Sequence, residues 1–215
     1  MNLITLTNPQ SVASEAYRTL RTNLYFASLE TPLKTIVVTS PGATENRGAV
    51  LANLAVVLAQ SEKKVIAVDA DLRHPAVHEL FGLTAERGLG DMLVDEALAS
   101  RPPLCPTSVP GLQVLTSGKV QSNPLDLLNS HRMSNIIATL SGLADMVLFN
   151  APPMIGVSDT AILASQTDGV LLVVELGKTR REHAQRAKEL LGRAHARLLG
   201  AVMSNVSREM NLSGV

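Results

Sequence analysis

Asp69 and Asp71, two residues apart in the segment VIAVDADLRHPAVHELFG, are the acids in this chain best placed to do chemistry. The aliphatic run before them reads as a buried strand, which delivers both carboxylates to the carboxyl end of a sheet, where open α/β proteins hold ligands. Paired acids there suit Mg2+, which takes one or two carboxylates together with phosphate oxygens, and they also suit activation of an attacking hydroxyl. The competing reading is purely structural, with Asp71 pairing to Arg73 and Asp69 capping a turn. His74 and His78 lie four apart, but no further ligand set accompanies them, and both read as surface residues.

Two further stretches bear on the same chemistry. In Thr35–Gln60, TIVVTSPGATENRGAVLANLAVVLAQ, a buried strand runs through a polar, glycine-containing loop into an apolar helix. That is the P-loop arrangement, in which backbone N–H groups and a helix N-terminus face phosphate. It makes Gly42, Ala43, Thr44, Glu45, Asn46, Arg47, Gly48 and Ala49 the candidate nucleotide-binding residues. The motif itself is broken. With Arg47 at the lysine position, G-x-x-x-x-G-K-S/T asks for glycine at 41 and 46 and a hydroxyl at 48, where the chain has Pro41, Asn46 and Gly48. An ordinary strand–loop–helix turn is the alternative. The third stretch, ADMVLFNAPPMIGVSDTAIL, ends an aliphatic strand at Asn150, followed by Ala151-Pro152-Pro153. P-loop proteins place an aspartate there, bound to Mg2+ directly or through water. An amide orients a water but holds no cation.

The elements that must position these residues follow from the hydrophobic pattern. Short aliphatic runs alternate with longer amphipathic ones, as in βαβ units. Strands are predicted at 35–40, 65–69, 112–116, 146–150, 170–175 and 199–203. Helices are predicted over 12–29, 47–61, 75–80, 88–98, 124–141, 158–165 and 179–195, the first capped by Ser11 or Ser14. The Pro-rich stretch 101–110 reads as a loop and the tail 207–215 as frayed. Apolar residues make up 46% of the chain and aromatics 2%, so the core must be aliphatic. The expectation is a single α/β domain with a mostly parallel sheet covered by helices on both faces. Lys plus Arg equals Asp plus Glu at 19 each, which argues against nucleic acid as a partner. Cys105 is the sole cysteine, and no run approaches the roughly 20 apolar residues of a membrane span; the chain reads as cytoplasmic.

Taken together, SEAYRTLRTNLYFAS, VDADLRHPAVHELFG, LTSGKVQSNPLDLLNSHRM and NAPPMIGVSDTAILASQTDGVLLVVELGKTR resemble the cytoplasmic domain of the bacterial tyrosine kinases (BY-kinases) of capsular exopolysaccharide synthesis. That family lies within the wider MinD/ParA class of deviant P-loop ATPases. The resemblance covers nearly the whole chain. It implies a P-loop NTPase-like fold, ATP and Mg2+ as cofactors, and Asp69 and Asp71 near the metal and the incoming tyrosine. It makes position 48, position 150 and Asp69 the metal positions, and Arg47 a catalytic position. Glu15, Arg18 and Arg21 match a helix that the family uses to assemble rings, a solvated charged face being the alternative. It also implies a membrane-embedded activator or polysaccharide co-polymerase as partner, which would hold the chain at the inner face of the membrane, and a homo-oligomer or co-assembly with an active paralogue.

The departures from that family pattern fall on one function. Arg47 replaces lysine, Gly48 replaces a serine or threonine, and Asn150 replaces aspartate. The tyrosine cluster of the family's C-terminus is missing, since Tyr17 and Tyr25 are the only tyrosines. Losing one well-placed transition-state group costs about 2.7–4 kcal/mol, so a pseudokinase that acts by binding is expected. A working tyrosine kinase with an atypical site and a MinD-like positioning ATPase are the alternatives. The second lacks support from any amphipathic membrane-targeting helix at the C-terminus.

Overall fold

The structure, a computed structural model, describes residues 3–43, 46–119 and 123–206. Its centre is α3 (Arg47–Ala59), buried without interruption from Val50 to Ala59. A helix apolar on all sides must lie inside the protein. It follows β1 (Thr35–Thr39) and leads to β2 (Val65–Asp69), two strands whose five residues are all buried. Strands with both faces covered need no polar alternation, which is why they read as plain aliphatic runs. Outside α3 lies α2 (Val12–Glu30), started by Ser11, whose hydroxyl accepts from Ser14 N at 3.1 Å.

The remaining strands are β3 (Cys105–Pro106), β4 (Leu112–Leu115), β5 (Met146–Asn150), β6 (Gly169–Glu175) and β7 (Leu198–Ser204). They form one seven-stranded sheet in the order β3-β4-β2-β5-β1-β6-β7. All pairs are parallel except β3 with β4. This is the expected P-loop NTPase-like architecture. Side chains alternate across the sheet as strand geometry demands. Ile36, Val38, Val65, Ala67 and Leu148 pack under α3, while Val37, Ile66, Val68, Val147 and Phe149 form a second core on the opposite face. The latter is covered by α5 (Leu89–Val94), α8 (His131–Leu143), α9 (Asp159–Ala164) and α10 (Arg181–Arg193).

Five details differ from the sequence expectation. The helix predicted over 88–98 is two: α5, then α6 (Glu96–Ala99), where Asp95 interrupts the run and caps the second by accepting Ala97 N at 3.0 Å. The helix predicted over 124–141 breaks between α7 (Pro124–Leu128) and α8, where Ser130 takes an extended backbone. A short α1 (Ile4–Thr7) precedes α2, tied to α3 by Asn53 Oδ1, which accepts both the amide and the hydroxyl of Thr5. The Pro-rich loop carries β3, a two-residue edge pairing too short to leave a periodic signal. Helix α4 (Val77–Phe81) lies two residues inside the predicted start at 75. The tail expected to fray, 207–215, lies outside the described residues.

Register decides where the site falls. Asp69 sits opposite Asn150, and Val38 pairs with Asn150 from the other side. The chain leaving β1, the acids leaving β2 and the amide ending β5 therefore meet at one place on the carboxyl edge of the sheet.

Candidate nucleotide site

Asp69 ends β2 fully buried, and both of its oxygens are engaged. Oδ1 accepts the Asn150 side-chain amide at 2.9 Å, and Oδ2 accepts the backbone N–H of Ala76 and Val77, each at 2.9 Å. The expected turn cap is thus present, with an interstrand hydrogen bond besides. Burial pushes the Asp69 carboxyl above the usual carboxylate range. The Asn150 amide and the Val77 and Ala76 N–H groups pull it back, and the negative charge of Asp71 pushes it up again.

Asp71 is also fully buried, but it does not pair with Arg73. Its Oδ2 forms an ion pair with the Arg47 guanidinium, and its Oδ1 accepts from His74 N at 3.0 Å and Arg73 N at 3.3 Å. Arg47 Nε in turn donates to the carbonyl of Ala151 at 2.7 Å. With 12% of its side chain exposed, Arg47 bridges the residues after β2 to those after β5. Arg73 reaches across to Asp159 at the start of α9, with Nε and Nη2 donating to the two carboxylate oxygens at 2.7 and 3.1 Å. That bidentate contact raises the Arg73 pKa further and keeps it charged. Asp159 and the Ala151 carbonyl are the site residues that sequence reasoning missed. The only trace of Asp159 was an acid in the first turn of a predicted helix, a pattern with an everyday capping explanation.

Gly48 opens α3 beside the same pocket. A Cβ placed there would lie 3.9 Å from Asn150 Oδ1 and 3.5 Å from Leu80 Cδ1, ordinary contact distances. Asn150 is 2% exposed, and its Oδ1 has no hydrogen-bond partner. An acceptor is therefore orphaned on the side where a hydroxyl at position 48 would stand. Arg47, Gly48, Asn150, Asp69 and Asp71 are brought together as the sequence suggested. Gly42, Ala43, Asn46 and Ala49 lie in the adjoining loop and first helical turn, and Thr44 and Glu45 lie outside the described residues. His74 is exposed, as expected, whereas His78 is half-buried with Nδ1 unpartnered.

On α2, Glu15 and Arg18 pair at 2.6 Å on the outer face. Arg21 instead donates to Val57 O of α3 at 3.1 Å. The three therefore do not form one free surface. The outer face of α2 also carries Val12, Tyr25, Phe26 and Leu29, all about half exposed or more.

The residues present do not fit Mg2+. Mg2+ is usually held by one or two carboxylates with phosphate oxygens and waters, but both oxygens of Asp69, Asp71 and Asp159 already accept from an amide, backbone N–H groups or a guanidinium. Among the described residues no cluster of three His, Cys, Asp or Glu side chains could hold a metal.

No protein-family model matches the chain. Individual proteins do. It is 41% identical over 203 residues to the tyrosine-protein kinase YwqD of Bacillus subtilis, covering 94% of this chain and 85% of that one. The chain belongs to the bacterial tyrosine kinases. It is also 30% identical to the putative tyrosine-protein kinase CapB of Staphylococcus aureus, across 95% of this chain and 90% of that one. It spans only 27% of the length of the kinase Etk of Escherichia coli. The solved kinase domain of Etk superposes with a TM-score of 0.90 at 32% identity, covering 97% of this chain and 81% of that one. The chimerical protein CapA2B2 gives 0.89 at 32%, covering 96% and 90%. A MinD protein solved with Mg-ADP from Pyrococcus horikoshii matches at 0.64 and 20% identity over 83% of this chain and 76% of that one, a likeness of fold alone. In this chain, then, the carboxyl edge of the sheet holds Asp71 and Asp159 paired with Arg47 and Arg73, and Asp69 held by neutral donors. Among the described residues no helix is long and apolar enough to cross a membrane.

Proposed function

We propose that this chain is a BY-kinase-like domain of exopolysaccharide or capsule synthesis that works by binding, not by phosphoryl transfer. Its role is to dock on a membrane-embedded polysaccharide co-polymerase or activator, alone as a homo-oligomer or together with an active paralogue. The observation that carries the reading is the Arg47–Asp71 ion pair, which places a planar side-chain cation against an acid that a kinase of this family would offer to Mg2+. Gly48 and Asn150 remove the other two groups that would grip the metal. Arginine does not replace lysine at a phosphate cradle without loss, because its fork is bulkier and fixed in shape. Binding of ATP with Mg2+ should accordingly be weak or absent.

Docking is supported by the kinship to YwqD and CapB and by the likeness to the chimerical CapA2B2. The outer face of α2, with Glu15, Arg18, Tyr25 and Phe26, is the surface we assign to assembly, and Arg21 anchors that helix to α3. Calorimetry with ATP and ADP, with and without Mg2+, tests the site. The expected result is no heat of binding that depends on Mg2+; tight Mg-ATP binding would remove the basis of the proposal. Mass photometry of wild type against Glu15→Ala/Arg18→Ala, which leaves the Arg21 anchor in place, tests assembly; loss of high-order species is expected, and unchanged mass removes the idea.

A further inference from the structure

We propose that the Arg47 guanidinium is a built-in counter-ion that takes the place of a divalent cation, locking the acidic cluster shut without any metal. The inference rests on the reading of the site as non-catalytic and deepens it by naming what keeps the site closed. Asp69 and Asp71 are both fully buried at the end of one strand, and a buried charge needs a partner. The other nearby arginine, Arg73, is committed to both oxygens of Asp159. Arg47 is left to neutralise Asp71.

Its geometry suits a permanent role. Nε donates to Ala151 O while a terminal nitrogen meets Asp71 Oδ2, so the plane of the guanidinium is fixed from two directions. A lysine has one nitrogen on a flexible stem and does not hold two such positions as a rigid plate. The neighbouring replacements make the same sense. An amide at Asn150 adds no further negative charge beside Asp69 and Asp71, and its Nδ2 donates to Asp69 Oδ1 at 2.9 Å. Gly48 brings no hydroxyl to Asn150 Oδ1, which stays unpartnered 3.9 Å from where a Cβ at position 48 would lie.

The experiment uses the full chain and Mn2+ as the probe, followed by the loss of the free-ion electron paramagnetic resonance signal and by thermal unfolding in Mn2+ or EDTA. Wild type should leave the signal unchanged and melt at one temperature in both conditions. Arg47→Ala should melt lower than wild type in EDTA, and Mn2+ should restore part of that loss by meeting the Asp71 oxygen that the substitution frees. Arg47→Ala/Asp71→Asn should melt higher than Arg47→Ala in EDTA and ignore the metal. Stoichiometric Mn2+ binding by wild type overturns the proposal, as does an Arg47→Ala chain indifferent to metal. If Arg47→Ala does not fold, folding of the double variant supports the counter-ion role and its failure refutes it. These outcomes are separate from phosphoryl transfer. A metal-indifferent Arg47→Ala chain sinks the lock and leaves the non-catalytic reading intact, whereas tyrosine phosphorylation by wild type sinks that reading whatever the metal data say.

Discussion

Restoring the family's carboxylate with Asn150→Asp alone should weaken the fold before it repairs anything. The substituted oxygen would face Asp69 Oδ1 across the 2.9 Å now spanned by an amide hydrogen bond. Two like charges at that separation repel by about 6 kcal/mol at an effective dielectric of about 20. Both carboxyls cannot then ionise, and the pair keeps one proton. The folded variant thus binds a proton that the unfolded chain releases, so its stability falls by about 1.4 kcal/mol per pH unit as pH rises. Wild-type Asp69, raised by burial, slopes the same way, but the Asn150 amide opposes it. The quantity to read is therefore the difference between the two chains. Urea unfolding from pH 5 to pH 8 should show that difference widening by up to about 4 kcal/mol. Equal urea midpoints across the range would refute the reasoning, because Asp69 and residue 150 would then not share one buried space.

Asp159→Asn should cost about 1–2 kcal/mol in urea unfolding, since it leaves a bidentate partner behind, while partial exposure of Arg73 softens the loss. Arg47→Lys should destabilise by about 1–3 kcal/mol and bring no kinase activity, because one of its two contacts, Ala151 O or Asp71, goes unmade. Burial pushes the Tyr17 phenol up to about 12. An ultraviolet titration should accordingly show one tyrosine that ionises late and is absent in Tyr17→Phe, with stability lost as pH climbs from 10 toward 12. Gly88→Ala should fail to fold, because a Cβ there would meet Thr116 O at 2.0 Å and Gly118 N at 2.3 Å; soluble expression checks it.

The buried strands were legible because each is a bounded aliphatic run: β2 and β5 have the predicted ends, and β1 differs by one residue. The P-loop reading and the family resemblance, not any predicted register, are what put Asp69 and Asn150, 81 residues apart, in one pocket. What escaped were choices between partners. Asp71 could have taken Arg73, two residues away, yet it took Arg47, 24 residues away, because Arg73 has Asp159 to reach. Local spacing cannot rank such options, since the deciding term is where the third element, α9, delivers its first-turn acid. Helix breaks at Asp95 and Asn129–Ser130 were hidden for a related reason: polar residues able to cap also sit on the outer faces of unbroken helices.

With Asp71 neutralised internally by Arg47, as proposed, no phosphoryl transfer should be measurable. Incubating the chain with γ-labelled ATP, Mg2+ and a tyrosine polymer, beside Asp71→Ala, tests it most directly. Neither protein should incorporate label above background. Label incorporated by wild type and abolished by Asp71→Ala would contradict it.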